Sequence, residues 1–266
     1  MQKTAATDAE GRASASPEAI VRTFARDLFA GRTALVVGGT SGIGLACGRA
    51  FRDLGARVLA TGATEAELRA ADADQDNADV AFSVLDVRSL DAVAGLMGSL
   101  ERLDILVNAA GVIRRDREED PEVFTDVLDI NLTGAMRVSV AAKPKLAASR
   151  GCVINLASML SFFGGPRVPA YSASKGGIAQ LTKSLAAAWA AEGIRVNALA
   201  PGWIATPLTQ ALQDDEARSR PILDRTPAGR WGTPEEVAGG ALFLASPAAA
   251  FVTGAVLPVD GGYLSL

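Results

Sequence analysis

The chain has 266 residues, 49% of them hydrophobic, and 26 Lys and Arg against 30 Asp and Glu give a formal net charge of -4. That is enough apolar material for one α/β domain with a large core, and with no long basic stretch it argues against nucleic acid or an anionic membrane as partner. There is no histidine and there are only two cysteines, so no metal site is expected and any proton transfer must use something other than imidazole.

Residues 1–30 read as an extension, polar and alanine-rich up to Ser16. From Pro17 a helix is expected to run through Leu28: Ser16 supplies an N-cap, Pro17 suits the first turn, and Ile20, Phe24 and Leu28 recur on one face. Such a helix would dock on the body or on a neighbouring subunit. No continuous apolar run is long enough for a signal peptide or a membrane span. Cys47 and Cys152, each in an apolar segment, read as buried free thiols of a cytoplasmic protein.

Residues 31–266 read as one domain. Residues 32–37 (RTALVV) form a short buried strand that runs into Gly38-Gly39-Thr40-Ser41-Gly42-Ile43-Gly44 and then a helical pattern through Leu54. Gly38 can take the turn's backbone angles, Gly42 lets amides approach a pyrophosphate, and Gly44 lets the helix pack close to the strand with its N-terminus toward the phosphates. A glycine loop alone also serves as a plain turn; between a strand and a helix, the dinucleotide reading is the better one. Further strands are expected at 57–61, 80–85, 105–108, 152–157, 195–198 and 255–259, with helices between them. This alternation implies a single Rossmann-type doubly wound parallel sheet of the α/β class, helices on both faces, and a ligand crevice at the carboxyl ends of the strands. Asp86, Asn108, Ser158 and Pro201 fall at or just after such ends.

Tyr171 stands four residues before Lys175, on the same face of a predicted helix, with Ser158 thirteen residues upstream of the tyrosine. One positive charge about 4 Å from a phenol, at an effective dielectric near 20, supplies roughly the 4 kcal/mol needed to bring a tyrosine pKa from about 10 toward 7. The expectation is a phenol made acidic by its lysine, titrating below the free-tyrosine value. As a bare pair, Tyr-x-x-x-Lys is more often an ordinary helical pair with a snorkelling lysine. Ser158 alone could be a strand-end hydroxyl satisfying local backbone.

Taken with Asn108-Ala109-Ala110-Gly111, Asn131 and Pro201-Gly202, these segments resemble the short-chain dehydrogenase/reductase family in order and spacing, over roughly residues 30–266. Val37 stands where that family has threonine, and Ala109 replaces the second asparagine of its Asn-Asn-Ala-Gly segment; each change removes a polar group that ties the central strands to the cofactor loop. The resemblance implies an NAD(P)-dependent oxidoreductase that interconverts a secondary alcohol and a ketone. Tyr171 would exchange the proton, Lys175 would lower its pKa and bind the nicotinamide ribose, Ser158 would hold the substrate oxygen, and Asn131 would hold a water linking Lys175 to solvent. Around the cofactor, Thr40, Ser41 and Ile43 would join Gly38, Gly42 and Gly44 at the phosphates, and Asp86 and Val87 would meet the adenine. Ala109 and Gly111, following Asn108, would border the adenosine ribose, while Pro201, Gly202, Ile204 and Thr206 would hold the nicotinamide carboxamide.

An NAD enzyme of this fold carries an acid near the end of the second strand and an NADP enzyme an arginine. Here Thr61-Gly62-Ala63-Thr64 stands there, with Glu65 the nearest acid and no cation, so NAD is expected over NADP. Residues 158–169 and 225–232, together with 110–115, resemble the sugar-acid members of the family, the 2-deoxygluconate and 2-keto-3-deoxygluconate dehydrogenases. That implies a sugar acid or other small polyol whose carboxylate pairs with Arg115 or Arg167, although the same arginines could be solvated or oligomer contacts. The tail 258–266 resembles tails that cross a subunit interface, so a homodimer or homotetramer is expected. Two other functions share parts of the pattern. A catalytically silent dinucleotide-binding sensor or scaffold has no need for Asn131, Ser158, Tyr171 and Lys175 together. A nucleotide-sugar epimerase is opposed by the G-x-x-x-G-x-G spacing and the lack of a separate C-terminal substrate domain.

Overall fold

The computed structural model describes residues 16–266. Its first helix, α1 (Pro17–Arg22), starts as expected, with the Ala19 amide donating to the Ser16 hydroxyl at 3.2 Å, but it ends well before residue 28. The Thr23 hydroxyl donates back to the Ala19 carbonyl at 3.2 Å, and the chain then folds through turns. The reason is tertiary: turning lets Phe24 and Leu28 reach the core and buries Phe29 completely against Phe51, ring centroids 5.2 Å apart. Packing of one large ring outweighs the propensity of a few more helical residues.

Seven strands follow: β1 (Thr33–Val37), β2 (Arg57–Gly62), β3 (Val80–Val84), β4 (Ile105–Asn108), β5 (Cys152–Leu156), β6 (Arg195–Pro201) and β7 (Val256–Val259). All neighbours pair in parallel, in the order β3-β2-β1-β4-β5-β6-β7. The doubly wound sheet is therefore as expected. β6 runs past the expected end at 198 to Pro201 because Leu199 and Ala200 still pair with Leu257 and Pro258 of β7. The helices are α2 (Gly42–Asp53), α3 (Glu65–Asp72), α4 (Leu90–Ser99), α5 (Pro121–Leu128), α6 (Ala135–Ser149), α7 (Pro169–Trp189), α8 (Gln210–Gln213), α9 (Glu216–Arg225) and α10 (Pro234–Ala245). A π-helical turn, Asp129–Gly134, joins α5 to α6.

Every residue of β1 is buried, as both faces of a parallel strand must be. Ala34 and Val36 join Cys47 and Phe51 of α2 and Val237 and Leu242 of α10 in one apolar cluster; Leu35 and Val37 join Leu96 of α4, Leu146 of α6 and Trp189 of α7 in the other. The period-two alternation of a strand thus assigns each side chain to its layer. α1 rests on the outer side of the first cluster, where Ile20 packs against Gly239 of α10, so this helix docks on the chain's own body. No helix among the described residues is long and apolar enough to cross a membrane.

β1 is hydrogen-bonded to both β2 and β4. The chain winds outward to β3 on one side and then returns to β4 on the other, so the loops leaving β1 and β4 diverge and leave a crevice between them. Two glycines close the β1 loop. Gly38 has φ +77°, and a Cβ there would lie 2.5 Å from the Ala110 amide nitrogen; a Cβ on Gly44 would lie 2.1 Å from the Gly38 carbonyl oxygen. The ties expected to be missing at Val37 and Ala109 are supplied otherwise. The Ala109 amide donates to the Val37 carbonyl at 2.8 Å, and Thr61 accepts from Gly39 through its carbonyl at 2.8 Å and from Gly38 through its hydroxyl at 3.4 Å.

Candidate functional site

The crevice has a volume of about 770 Å³. The glycine loop from Gly38 to Gly44 forms one wall; Asp86, Val87, Ala109 and Gly111 follow along the strand ends; Pro201, Gly202, Ile204 and Thr206 form the facing lip. Ser158, Tyr171 and Lys175 lie in the floor, and Arg115 and Arg167 line it too. Residues from Gly38 to Thr206 are brought together because parallel strands all present their carboxyl ends on one edge of the sheet.

Ser158 follows β5, and its hydroxyl accepts the Leu160 amide at 3.2 Å, capping a short turn, Met159–Ser161. The Ser161 hydroxyl donates to the Lys175 carbonyl at 2.6 Å, clamping that turn to α7. Across this clamp the Ser158 hydroxyl lies near enough to the Tyr171 phenol to favour its ionised form. Lys175 is 5% exposed; its ammonium donates to the Leu156 carbonyl and stands 5.5 Å from the centre of the Tyr171 ring. The lysine therefore stands against the ring. Burial pushes Tyr171 up to about 12, with Ser158 acting against it and the Glu118 carboxylate adding to it, and burial lowers Lys175 to about 8. In the cofactor-free protein this corrects the expectation of a tyrosine made acidic by its lysine: desolvation outweighs a charge placed over the ring face.

A direct measurement follows. The chain has only two tyrosines, so in a Tyr263→Phe background Tyr171 is alone. Its tyrosinate absorbance is expected to stay absent below about pH 10 in the cofactor-free protein. A titration between about pH 7 and 9 would show that the lysine charge dominates.

Asn108 and Asn131 are buried and do not line the crevice. The Asn108 amide donates to Ser139 Oγ and Asn155 Oδ1, both at 2.9 Å, joining β4 to α6 and β5. Asn131 Oδ1 accepts from the Val112 amide at 2.8 Å, while its Nδ2 donates to the Val112 carbonyl at 3.0 Å and Ser174 Oγ at 3.2 Å. Its side chain thus pins the loop after β4 to α7. Arg167 is engaged in a two-pronged ion pair with Asp116. Arg115 has no ion pair or hydrogen bond among the described residues; burial, with Arg167 and Arg218 nearby, lowers its pKa.

The acid at the end of β2 is not Glu65, which is exposed and outside the crevice, but Glu67. Thr64 caps α3 by accepting the Glu67 amide at 3.2 Å, which places Glu67 in the first turn, and its carboxylate accepts the Ala63 amide at 2.9 Å. The Thr-x-x-Glu spacing of a capping box was the available signal. Arg88 also lines the crevice, but it holds Asp86 at 2.9 Å and Asp126 at 3.1 Å, and its side-chain and backbone hydrogen bonds to Asp86 keep that carboxyl below the usual carboxylate range. Arg225 was likewise missed. It lines the crevice with its guanidinium 4.4 Å from the Tyr263 ring centre and 5.4 Å from that of Phe163, a contact between α9, the tail and the loop after β5 that no local pattern encodes.

These surroundings fit a dinucleotide. Gly38 and Gly44 cannot carry a Cβ without striking backbone, the amino end of α2 opens on the crevice, and a Cβ on Gly42 would face the Thr206 side chain at 3.6 Å across it. No group of three or more Cys, Asp or Glu among the described residues is placed to hold a metal ion.

A family model described as enoyl-(acyl carrier protein) reductase matches residues 37–264. The chain is similar to the 2-dehydro-3-deoxy-D-gluconate 5-dehydrogenase of Bacillus subtilis (strain 168), 42% identical over 91% of this chain and 99% of that protein. It is also similar to a galactitol 2-dehydrogenase (L-tagatose-forming) of Cereibacter sphaeroides, 42% identical over 88% of this chain and 95% of the relative. Among solved structures, the gluconate 5-dehydrogenase from Burkholderia cenocepacia J2315 in complex with NADP and tartrate is 36% identical, with a TM-score of 0.83 over 91% of this chain and 98% of that one.

Proposed function

We propose that this chain, which belongs to the short-chain dehydrogenase/reductase family and is an NAD(P)-dependent oxidoreductase, interconverts a secondary alcohol and a ketone on a small sugar acid. The observation that carries the reading is the meeting of Ser158, Tyr171 and Lys175 on the crevice floor with the unpaired guanidinium of Arg115 in the same lining. A bound reduced nicotinamide supplies the hydride to the carbonyl carbon. Tyr171 gives its phenolic proton to the carbonyl oxygen, and Ser158 donates a hydrogen bond to that oxygen and aligns it; oxidation reverses both roles. Lys175 would hold the nicotinamide ribose and, with the positive charge of an oxidised nicotinamide beside it, would favour the phenolate. Asn131 keeps the loop bearing Gly111 and Val112 against α7.

The phosphates fall to Gly38, Thr40, Ser41, Gly42, Ile43 and Gly44; Asp86 and Val87 border the adenine, with Ala109 and Gly111 beyond the strand end beside it. Pro201, Gly202, Ile204 and Thr206 form the carboxamide lip. Glu67, an acceptor at the end of β2, favours a ribose hydroxyl over a phosphate, which supports NAD; the Burkholderia relative holds NADP. With Arg167 taken by Asp116, the substrate carboxylate pairs with Arg115. Residues 1–30 are an extension whose helix α1 packs on α10, residues 31–266 are the dehydrogenase domain, and a homodimer or homotetramer in the cytoplasm covers the wholly exposed Phe251.

The test is a screen of sugar acids against neutral polyols with both dinucleotides, read as reduced-nicotinamide absorbance. Arg115→Ala is expected to lower kcat/KM for an acid by roughly 10- to 100-fold, the worth of a charge-assisted hydrogen bond of about 1.5–3 kcal/mol, and to change a neutral analogue little. Wild-type preference for a neutral polyol would replace the acid reading by a sugar-alcohol one, the activity named for the Cereibacter relative.

A further inference from the structure

The first turn of α7 needs an acceptor for its free amides, and Val168, at its N-cap position, has no side-chain oxygen to offer. The acceptor comes from a distant loop. Glu118, 1% exposed, takes the Tyr171 amide on Oε2 at 2.8 Å and the Arg114 amide on Oε1 at 2.8 Å. It makes no ion pair with lysine or arginine among the described residues. Burying a carboxylate without a paired cation is costly, and what offsets it here is two amide donors and the amino end of a long helix. The same loop is joined to the approach of α7 a second time, where the Asp116 amide donates to the Arg167 carbonyl at 3.0 Å and the two side chains form an ion pair.

We propose that Glu118 is a positioning residue whose forked carboxylate fixes the proton-donating Tyr171 at one spacing from the substrate arm carrying Arg115. A local serine or aspartate cap at position 168 would satisfy the helix amide equally well. It would leave the loop free. The two oxygens of Glu118 instead bind one amide on each side, so neither segment can shift without breaking a bond to a buried charge. The charge has a second consequence. Tyr171 is faced by Ser158, Lys175 and Glu118, and Glu118 by the Arg114–Asp116 segment; within that set the carboxylate opposes the phenolate and keeps Tyr171 a proton donor.

The inference rests on Tyr171 being the acid-base group, so Tyr171→Phe is assayed alongside. Glu118→Gln keeps the shape and removes the charge and one acceptor. Its kcat is expected to fall roughly 10- to 100-fold with dinucleotide Kd unchanged. In the Tyr263→Phe background its tyrosine titration is expected to move to lower pH by about half a unit or more. Glu118→Asp keeps the charge but cannot bridge both amides, so kcat falls while the titration stays. Wild-type kcat in either variant overturns the proposal, and so does a kcat loss in Glu118→Gln with an unmoved titration, which would reduce Glu118 to a structural cap. Should Glu118→Gln not fold, the kcat of Glu118→Asp decides alone. Turnover retained by Tyr171→Phe would instead remove the reading of Tyr171, whatever the Glu118 variants do.

Discussion

Replacing Tyr171 by phenylalanine is expected to lower kcat by roughly 10²–10⁴-fold while dinucleotide affinity stays within about twofold, since general acid-base catalysis is worth that much and the ring itself is kept. The phenol oxygen is the one atom lost. Its neighbour, Ser158, retains the Leu160 amide as a donor to its oxygen, so the turn after β5 keeps its cap. Lys175 keeps both the Leu156 carbonyl and the face of the ring. No packing change therefore accompanies the chemical one. Single-turnover rates and quenching of tryptophan fluorescence by the dinucleotide separate the two quantities. Substrate turnover near the wild-type rate would take Tyr171 out of the mechanism, and lost dinucleotide affinity would show that the phenol is part of the binding surface.

Lys175→Met should separate function from stability in the opposite sense. Turnover is expected to fall by at least about 100-fold, yet the cofactor-free protein should become more stable at neutral pH. In the folded protein Lys175 titrates at about 8, lowered by burial from 10.5. Below pH 8 both folded and unfolded chains carry the proton, so the folded state bears the whole desolvation cost, roughly 3 kcal/mol at about 1.4 kcal/mol per unit. Between about pH 8 and 10.5 the unfolded chain binds more protons, stability rises with pH, and the cost is lifted. The methionine variant avoids it throughout but leaves the Leu156 carbonyl without its donor, which costs about 1–3 kcal/mol. The net gain near pH 7 is then about 1 kcal/mol, or about 2–4 °C in Tm, vanishing or reversing above pH 9. Equal midpoints at every pH would mean that Lys175 is not desolvated in the free protein. The cost is the mark of a residue kept for its charge.

The strands and the glycine loop were legible because each is encoded by neighbours in sequence. After Thr33 the run ALVV is apolar at every position, as a strand covered on both faces must be, and the glycines sit between it and a 3.6-residue pattern. Tyr171 and Lys175 were placed on one face by their spacing alone. Which acid meets the crevice was not legible in the same way: Glu65 and Glu67 differ by two positions, and the cap at Thr64 turns one outward and one back. The commitment of Arg167 to Asp116 and of Asn131 to Val112 are pairings across 51 and 19 positions, and no local period signals them.

By itself, then, the order of residues determined the alternation of strands and helices, the parallel sheet with its crevice at the carboxyl ends, and the set of side chains that could do the chemistry. Only the tertiary structure decided how those side chains are held and charged. The early end of α1, the Glu118 cap beneath Tyr171 and the basic shift of Tyr171 each depend on burial and on partners brought by distant loops. Secondary structure follows from short-range periodicity, whereas desolvation and hydrogen-bond pairing depend on which segments the fold stacks together, and a one-dimensional spacing carries no measure of either.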